Sequence, residues 1–438
     1  MYYNLQYIFE RKKTMGVVSK LCENVELPKM IKVRQKFDRE GIPAGEIPAY
    51  IANRLSEDKF ASVIKPGDRV AITVGSRGIA NIPIITRALA DFVKSKGGHP
   101  FIVPAMGSHG GATAEGQRQL IEGYGVTEEA VGCPIVSSME TVYIGDTPDG
   151  HPVRMDRNAF EADGIIVAGR IKPHTAFRGP FESGLMKMMT IGLGKQEGAE
   201  LCHQEGFGVM AKLVPMFAKV IMEKSKVCLG LAIVENAYDE TAMLEPMLPQ
   251  EIEEKEPPLL LRAKALMPRI QFDETDILIV DRIGKNFSGD GHDPNITGRF
   301  LTPYADGGIK SQRMVILDLS DETHGNACGV GLADITTRRL FDKMDLEATY
   351  PNVITSTVLH AANIPLIMDS DADAIRLATR SCNGIDRDNV RIIRIPNSLH
   401  IEHIEISEAL LPEAAANPNI EIEGEAVPFA FDENGNLF

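Results

Sequence analysis

The chain has 438 residues, 44% of them hydrophobic, and a single core seldom grows past about 250–300 residues, so two domains are expected. A formal net charge of −15 and the absence of any dense Lys/Arg cluster exclude the basic footprint that a nucleic-acid partner requires. Six cysteines without a CxxC pair suit reduced thiols in a cytoplasmic protein better than disulfides or structural zinc, and no run approaches the roughly 18 apolar residues of a membrane helix.

The N-terminal MYYNLQYIFERKKTMG has no apolar stretch of the secretory kind, and Met15 is a second candidate start, with a loose leader before it. From about Asp68, short β-branched runs alternate with helical stretches, the pattern of a largely parallel α/β sheet. Strands are expected at Arg69–Val74, Pro100–Pro104, Gly164–Ala168 and Val227–Val234, and helices at Ile82–Val93, Thr113–Tyr124 and Met210–Ile221. The acidic, proline-rich stretch Met243–Pro258 reads as the connection between halves. A second series follows, with strands at Asp276–Val280, Arg313–Leu317, Ile364–Ile367 and Val390–Ile393, and with Thr357–Ala362 and Ala372–Thr379 helical. The expectation is an α/β fold of two Rossmann-like domains, 1–270 and 271–438, with the active-site cleft between them and the tail from about His400 returning to the first.

Ligands of open α/β sheets bind beyond the carboxyl ends of strands, so the residues just after each strand come first. Arg77 lies in Gly75-Ser76-Arg77-Gly78, His109 in Gly107-Ser108-His109-Gly110-Gly111, and His174 follows Arg170-Ile171-Lys172-Pro173. Each alone reads as a turn residue; recurrence at three successive strand ends points to a site. The stretch from Arg170 to Phe207 adds Ser183-Gly184-Leu185-Met186-Lys187 and His203. Gly192-Leu193-Gly194-Lys195-Gln196 lacks the hydroxyl of a phosphate loop, and Ser183 to Lys187 is one residue too long for an SxxK motif. Three readings stay open on the residues alone: an enzyme using this cluster, a zinc hydrolase whose three-ligand site with an open position is drawn from His109, His174, His203 and Cys202, and a non-catalytic carboxylate- or nucleotide-binding protein. Gly289–Asn295 and Asp321–Asn326 are polar turns with oxygen and imidazole donors; turn and cap chemistry explains them better than a hard metal.

Taken together, Arg77, the Gly107/His109/Thr113 turn, Pro173-His174, Ser183-Gly184-x-x-Lys187 and His203 resemble the cofactor site of the lactate racemase family. The resemblance implies a racemase or epimerase of a 2-hydroxy acid that moves hydride at C2. It implies nickel in a nickel-pincer nucleotide, pyridinium-3-thioamide-5-thiocarboxylate mononucleotide, linked to Lys187 in the Ser183-Gly184 turn and ligated by His203. His109 and His174 become the bases, Arg77 a cofactor and substrate contact, and Arg299 the nearest counterpart of the family's carboxylate-gripping lysine. Cofactor-synthesis enzymes become expected partners. The departures, Val74 in place of an acid, Gly110 in place of an arginine and three extra residues between His174 and Lys187, surround the substrate. They imply a 2-hydroxy acid larger or more polar than lactate, such as a sugar acid.

Overall fold

A computed structural model describes residues 17–438; Met15 lies outside the described residues. The strands Arg69–Val74, His99–Pro104, Gly164–Arg170 and Val227–Glu235 pair in parallel, with antiparallel Thr241–Met247 at one edge. Both faces of this sheet are covered, and this is why its strands are continuous apolar runs. Ala71, Phe101, Val103, Ile165 and Val167 enter the core on one face, while Val70, Ile72, Val74, Ile102 and Ile166 enter the core on the other. Between strands, Ile82–Ser95 and Phe207–Lys224 form the expected helices, and Ala114–Gly123 starts at Thr113, whose hydroxyl accepts from the Gly116 N–H at 3.1 Å.

A second sheet has eight strands. Leu366–Met368, Ile335–Thr337, Lys310–Leu319, Glu274–Ile283 and Ile392–Ile395 run parallel in that order, followed by antiparallel His403–Ser407, Met30–Gln35 and Ile420–Ile422. Met30–Gln35 lies with this sheet although it precedes the five-stranded one in sequence, and the tail beyond His400 pairs with it. The helix Asp371–Ser381 starts at Ser370, whose hydroxyl accepts from the Asp373 N–H. No helix among the described residues is long and apolar enough to cross a membrane.

The stretch Met243–Pro258 is not a linker. Its first residues belong to the edge strand, and Ile252–Leu266 is a helix with Pro257 and Pro258 inside it. Ile252, Leu259, Leu260, Ala263 and Leu266 recur at helical spacing and are buried against the five-stranded sheet. The two prolines leave the carbonyls of Glu253 and Glu254 without their helical donors, but both residues are exposed and water can serve there. Glu256 sits inside the apolar stripe and is buried, which hides the helical pattern in the sequence.

Candidate active site

Strand order decides where the site is. In the five-stranded sheet the chain moves from Arg69–Val74 to His99–Pro104 on one side and then to Gly164–Arg170 on the other. The order therefore reverses between Arg69–Val74 and Gly164–Arg170, and a crevice opens beyond their carboxyl ends. Arg77 leaves one of these ends and His174 the other. In the eight-stranded sheet the reversal falls between Glu274–Ile283 and Ile392–Ile395, and the loop that follows Glu274–Ile283 reaches the first crevice. A Cβ added to Gly289 would lie 2.3 Å from the Arg77 Nη2, so a side chain there would push the guanidinium away. Lys172 pairs with buried Asp293 at 2.9 Å, and Arg178 donates to the Asn295 Oδ1 at 2.6 Å.

Lys187 and His203 lie on one broken helical run. Leu185–Lys187 is α-helical, Met188–Leu193 is a π-helical turn, and Lys195–Gln204 is α-helical again. Continuous α-helix would carry His203 about 24 Å beyond Lys187. The π turn and Lys195, at φ 53°, break the run instead. As a result Lys187 acts electrostatically on His203, and the Phe207 ring lies 5.8 Å from His203 and 6.2 Å from His174.

The five strand-end and helix residues come together. Burial and then Arg77 hold His109 down to about 3, with Lys187 adding to it. Burial, then Lys187 and His203, hold His174 well below the usual imidazole range, and burial followed by Lys187 holds His203 down to about 4. Burial also lowers Arg77, against the pull of Asp290. Arg77 and His109 nonetheless keep exposed surface, as residues lining an open cleft do, so water moderates the effect on both. Among the described residues Arg77 makes no hydrogen bond or ion pair, which leaves a guanidinium fork free for an anion.

Hydrogen bonds assign the imidazole protons. The His109 Nδ1 lies 2.8 Å from the Met106 carbonyl, so Nδ1 carries hydrogen and the Nε2 lone pair is free. His174 is the reverse: its Nδ1 accepts from the Ala176 N–H at 3.0 Å, which puts the proton of the neutral ring on Nε2, in direct contact with the Lys187 Nζ. A donor facing Lys187 requires a free amine there rather than an ammonium. Burial first and Arg77 second hold Lys187 down to about 8, while Asp290 pulls the other way. NMR titration of ¹³C-methylated lysines is expected to show Lys187 with a midpoint near 8. Arg77→Met removes a cation that disfavours the ammonium and should move the midpoint upward; a midpoint unmoved by this change would put Arg77 out of reach of Lys187.

Carboxylates hold the loops. Glu182, fully buried, accepts from the His174 N–H at 2.7 Å and the Lys264 Nζ at 2.6 Å. Glu256 accepts from the Leu185 and Met186 N–H groups through Oε2, both at 3.1 Å, at the start of the turn that carries Lys187. Ser183 lies at the entry to this turn, its N–H bonded to the Lys172 carbonyl at 3.1 Å. Burial pushes the Glu256 carboxyl up to about 7. The His203 Nδ1 is buried with no hydrogen-bond partner, so its lone pair is uncommitted.

Arg299 is not brought to this cluster. Its guanidinium bonds Asp334 at 2.8 Å and the carbonyls of Ser311 and Gln312. Lys285 comes instead: it acts on His109 and donates to the Gly289 carbonyl beside Arg77. It stands two residues past Glu274–Ile283, so the strand-end rule that finds Arg77 also points to it. Among the described residues no three His, Cys, Asp or Glu side chains form a metal-holding group. Burial pushes the Cys202 thiol up to about 12. The three-ligand zinc site is therefore not assembled.

The geometry defines an α/β protein with an anion-ready, imidazole-rich cluster where the loops of two strand-order reversals meet. Residues 23–210, which carry Arg77, His109, His174, Lys187 and His203, match the family model of the lactate racemase N-terminal domain. The chain is 26% identical over 155 residues to the thylakoid-associated protein sll1697 of Synechocystis sp.; the match covers 33% of this chain and 46% of that protein, so it spans about half of that relative's length. The fold is similar to that of the lactate racemase apoprotein from Thermoanaerobacterium thermosaccharolyticum, with 13% identity and a TM-score of 0.50 over 84% of this chain and 98% of that one.

Proposed function

We propose that the protein is a racemase or epimerase of a 2-hydroxy acid that carries a nickel-pincer nucleotide on Lys187, with His203 as the protein ligand of nickel. The observation that carries this reading is that Lys187, lowered to about 8 by burial and Arg77, shares one broken helical run with a histidine whose buried Nδ1 has no partner. Both features fit the group: attachment needs a nucleophilic amine, and a metal needs an uncommitted lone pair. When bound, the group supplies hydride acceptance and return at C2.

The remaining work falls to the chain. Arg77 and Lys285 draw in the substrate carboxylate, which the net negative charge of the protein would otherwise repel. The His109 Nε2 accepts the hydroxyl proton of one enantiomer, and His174 gives a proton to the oxygen of the other; the reverse direction exchanges the roles. The working state also corrects the basicity of His174. Attachment removes the charge of Lys187 and the substrate carboxylate offsets Arg77, and both cations lower His174 in the free protein. Cofactor-synthesis enzymes are the expected partners, and six unpaired cysteines fit a cytoplasmic location.

The test is conversion of 2-deuterated 2-hydroxy acids, sugar acids among them, by protein produced with the cofactor-synthesis enzymes. Nickel should co-purify at about one per chain, and the deuterium should stay on C2 through inversion. Rapid loss of deuterium to water would replace hydride movement by carbanion chemistry. A protein that takes up neither nickel nor the nucleotide would leave a carboxylate-binding role.

A further inference from the structure

The loop that presents His109 closes its own short turns, His109 N–H to the Met106 carbonyl at 3.2 Å and Ala112 N–H to the Ser108 carbonyl at 3.1 Å, but on a backbone of unusual conformation. Gly107, Gly110 and Gly111 all take left-handed φ values of 60–65°, and Ala112 follows at 54°. Glycines of this kind gain backbone freedom when released, so local turns fix the shape of such a loop and contacts from outside it fix its place on the sheet. That role falls to a chain of buried polar groups. Gln117, fully buried, donates through Nε2 to the Gly107 carbonyl at 2.8 Å and the His109 carbonyl at 3.2 Å. Its Oε1 accepts from the Lys195 Nζ at 3.1 Å. Lys195 is also fully buried. Its ammonium pairs with buried Asp156 at 3.2 Å and donates to the carbonyl of Pro104, the last residue of the strand before the His109 loop.

Lys195 stands at the break between the π turn and the helix of His203 and takes a left-handed φ itself. A non-glycine residue is strained there and persists only where its surroundings demand it. Two residues of one segment thus hold the loop: the Gly192 carbonyl accepts from the Gly107 N–H at 3.3 Å, and Lys195 acts through Gln117. The same segment carries Lys187 and His203.

We propose that Lys195 is a positioning residue for His109: with Asp156 as counter-charge and Gln117 as relay, it locks the glycine-rich loop to the segment that carries Lys187 and His203. A buried ion pair is weak evidence of stability for its own sake; this one spends its remaining donor on the carrier of the His109 carbonyl. The inference rests on the reading of His109 as proton acceptor.

The experiment uses the full chain labelled with ¹⁵N at histidine, with His109→Asn to assign its signals, and compares Gln117→Met with the double variant Lys195→Met/Asp156→Asn. The first removes the relay and keeps the ion pair, and the second removes the pair without leaving a lone buried charge. In the unmutated protein His109 should show one tautomer, protonated at Nδ1. In both variants it should show a tautomer mixture, with amides of residues 107–113 exchanging about tenfold faster, while the His174 and His203 signals hold. Should the double variant fail to fold, Gln117→Met decides alone. Unchanged His109 signals and exchange in either folded variant overturn the proposal, as does an equal change at His174 and His203, which would mean general loosening. Failure of the racemase reading looks different: the His109 signals move as expected, yet the loaded, unmutated protein interconverts no enantiomers.

Discussion

His109→Asn is expected to slow interconversion of the two enantiomers about 100- to 10,000-fold in both directions, and His174→Asn by a similar factor. Each direction needs one group to take the hydroxyl proton and another to give one back, so neither residue is spared by choosing the starting enantiomer. Asn is the informative replacement at His109, because its amide can still donate to the Met106 carbonyl as Nδ1 does now. The loop then keeps its shape while the free lone pair of Nε2 is lost. Lys187 and His203 are untouched, so nickel content should match that of the unmutated protein. Initial rates from each enantiomer, with nickel measured on the same samples, check this; a variant that keeps more than a tenth of the rate in both directions removes its residue from the proton path.

Gly184→Ala is expected to destabilise the fold by about 2–5 kcal/mol, combining overpacking with loss of buried hydrogen bonds. The backbone raises no objection, since φ at Gly184 is 174° and extended. Space does: a Cβ would fall 2.1 Å from the Glu256 Oε1 and 2.8 Å from the Ile171 Cδ1. The carboxyl would have to leave the Leu185 and Met186 N–H groups that it holds, loosening the turn of Lys187. Gly123→Ala is the control, a helical glycine whose added Cβ meets nothing within 4 Å, and it should fall within about 1 kcal/mol of the parent. Urea unfolding of both variants measures the difference. A Gly184→Ala protein as stable as the control would mean that Glu256 does not hold the turn.

The strand-end arginine and histidines were legible because parallel strands are buried on both faces, read as unbroken apolar runs, and leave their functional residues where the run stops. Lys187 and His203 were legible as a pair only through the family resemblance, since a helical reading separates them and the π turn that reunites them has no simple sequence signature. Glu256 was hidden for the opposite reason: an acid and two prolines interrupt a stripe that is nonetheless helical. Arg299 shows the limit of motif proximity, because a guanidinium beside the right motif was already engaged by Asp334. The pairing of Met30–Gln35 with the far end of the chain has no local cue at all.

That pairing has a consequence for biosynthesis. Arg34 and Glu402, joined at 2.8 Å across the sheet, are 368 residues apart in the chain. At about 5–20 residues per second a ribosome takes roughly 20–75 s to cover that distance. Within that interval the five-stranded sheet acquires its last strand at Met247 and can form, whereas Met30–Gln35 has neither neighbour to pair with for its whole length. Its apolar residues Met30, Ile31 and Val33 and both its hydrogen-bonding edges stay open until the last tenth of the chain arrives. The nascent chain is therefore most exposed to misassociation at its beginning, and a holding chaperone that binds near residue 30 would act where protection is needed longest.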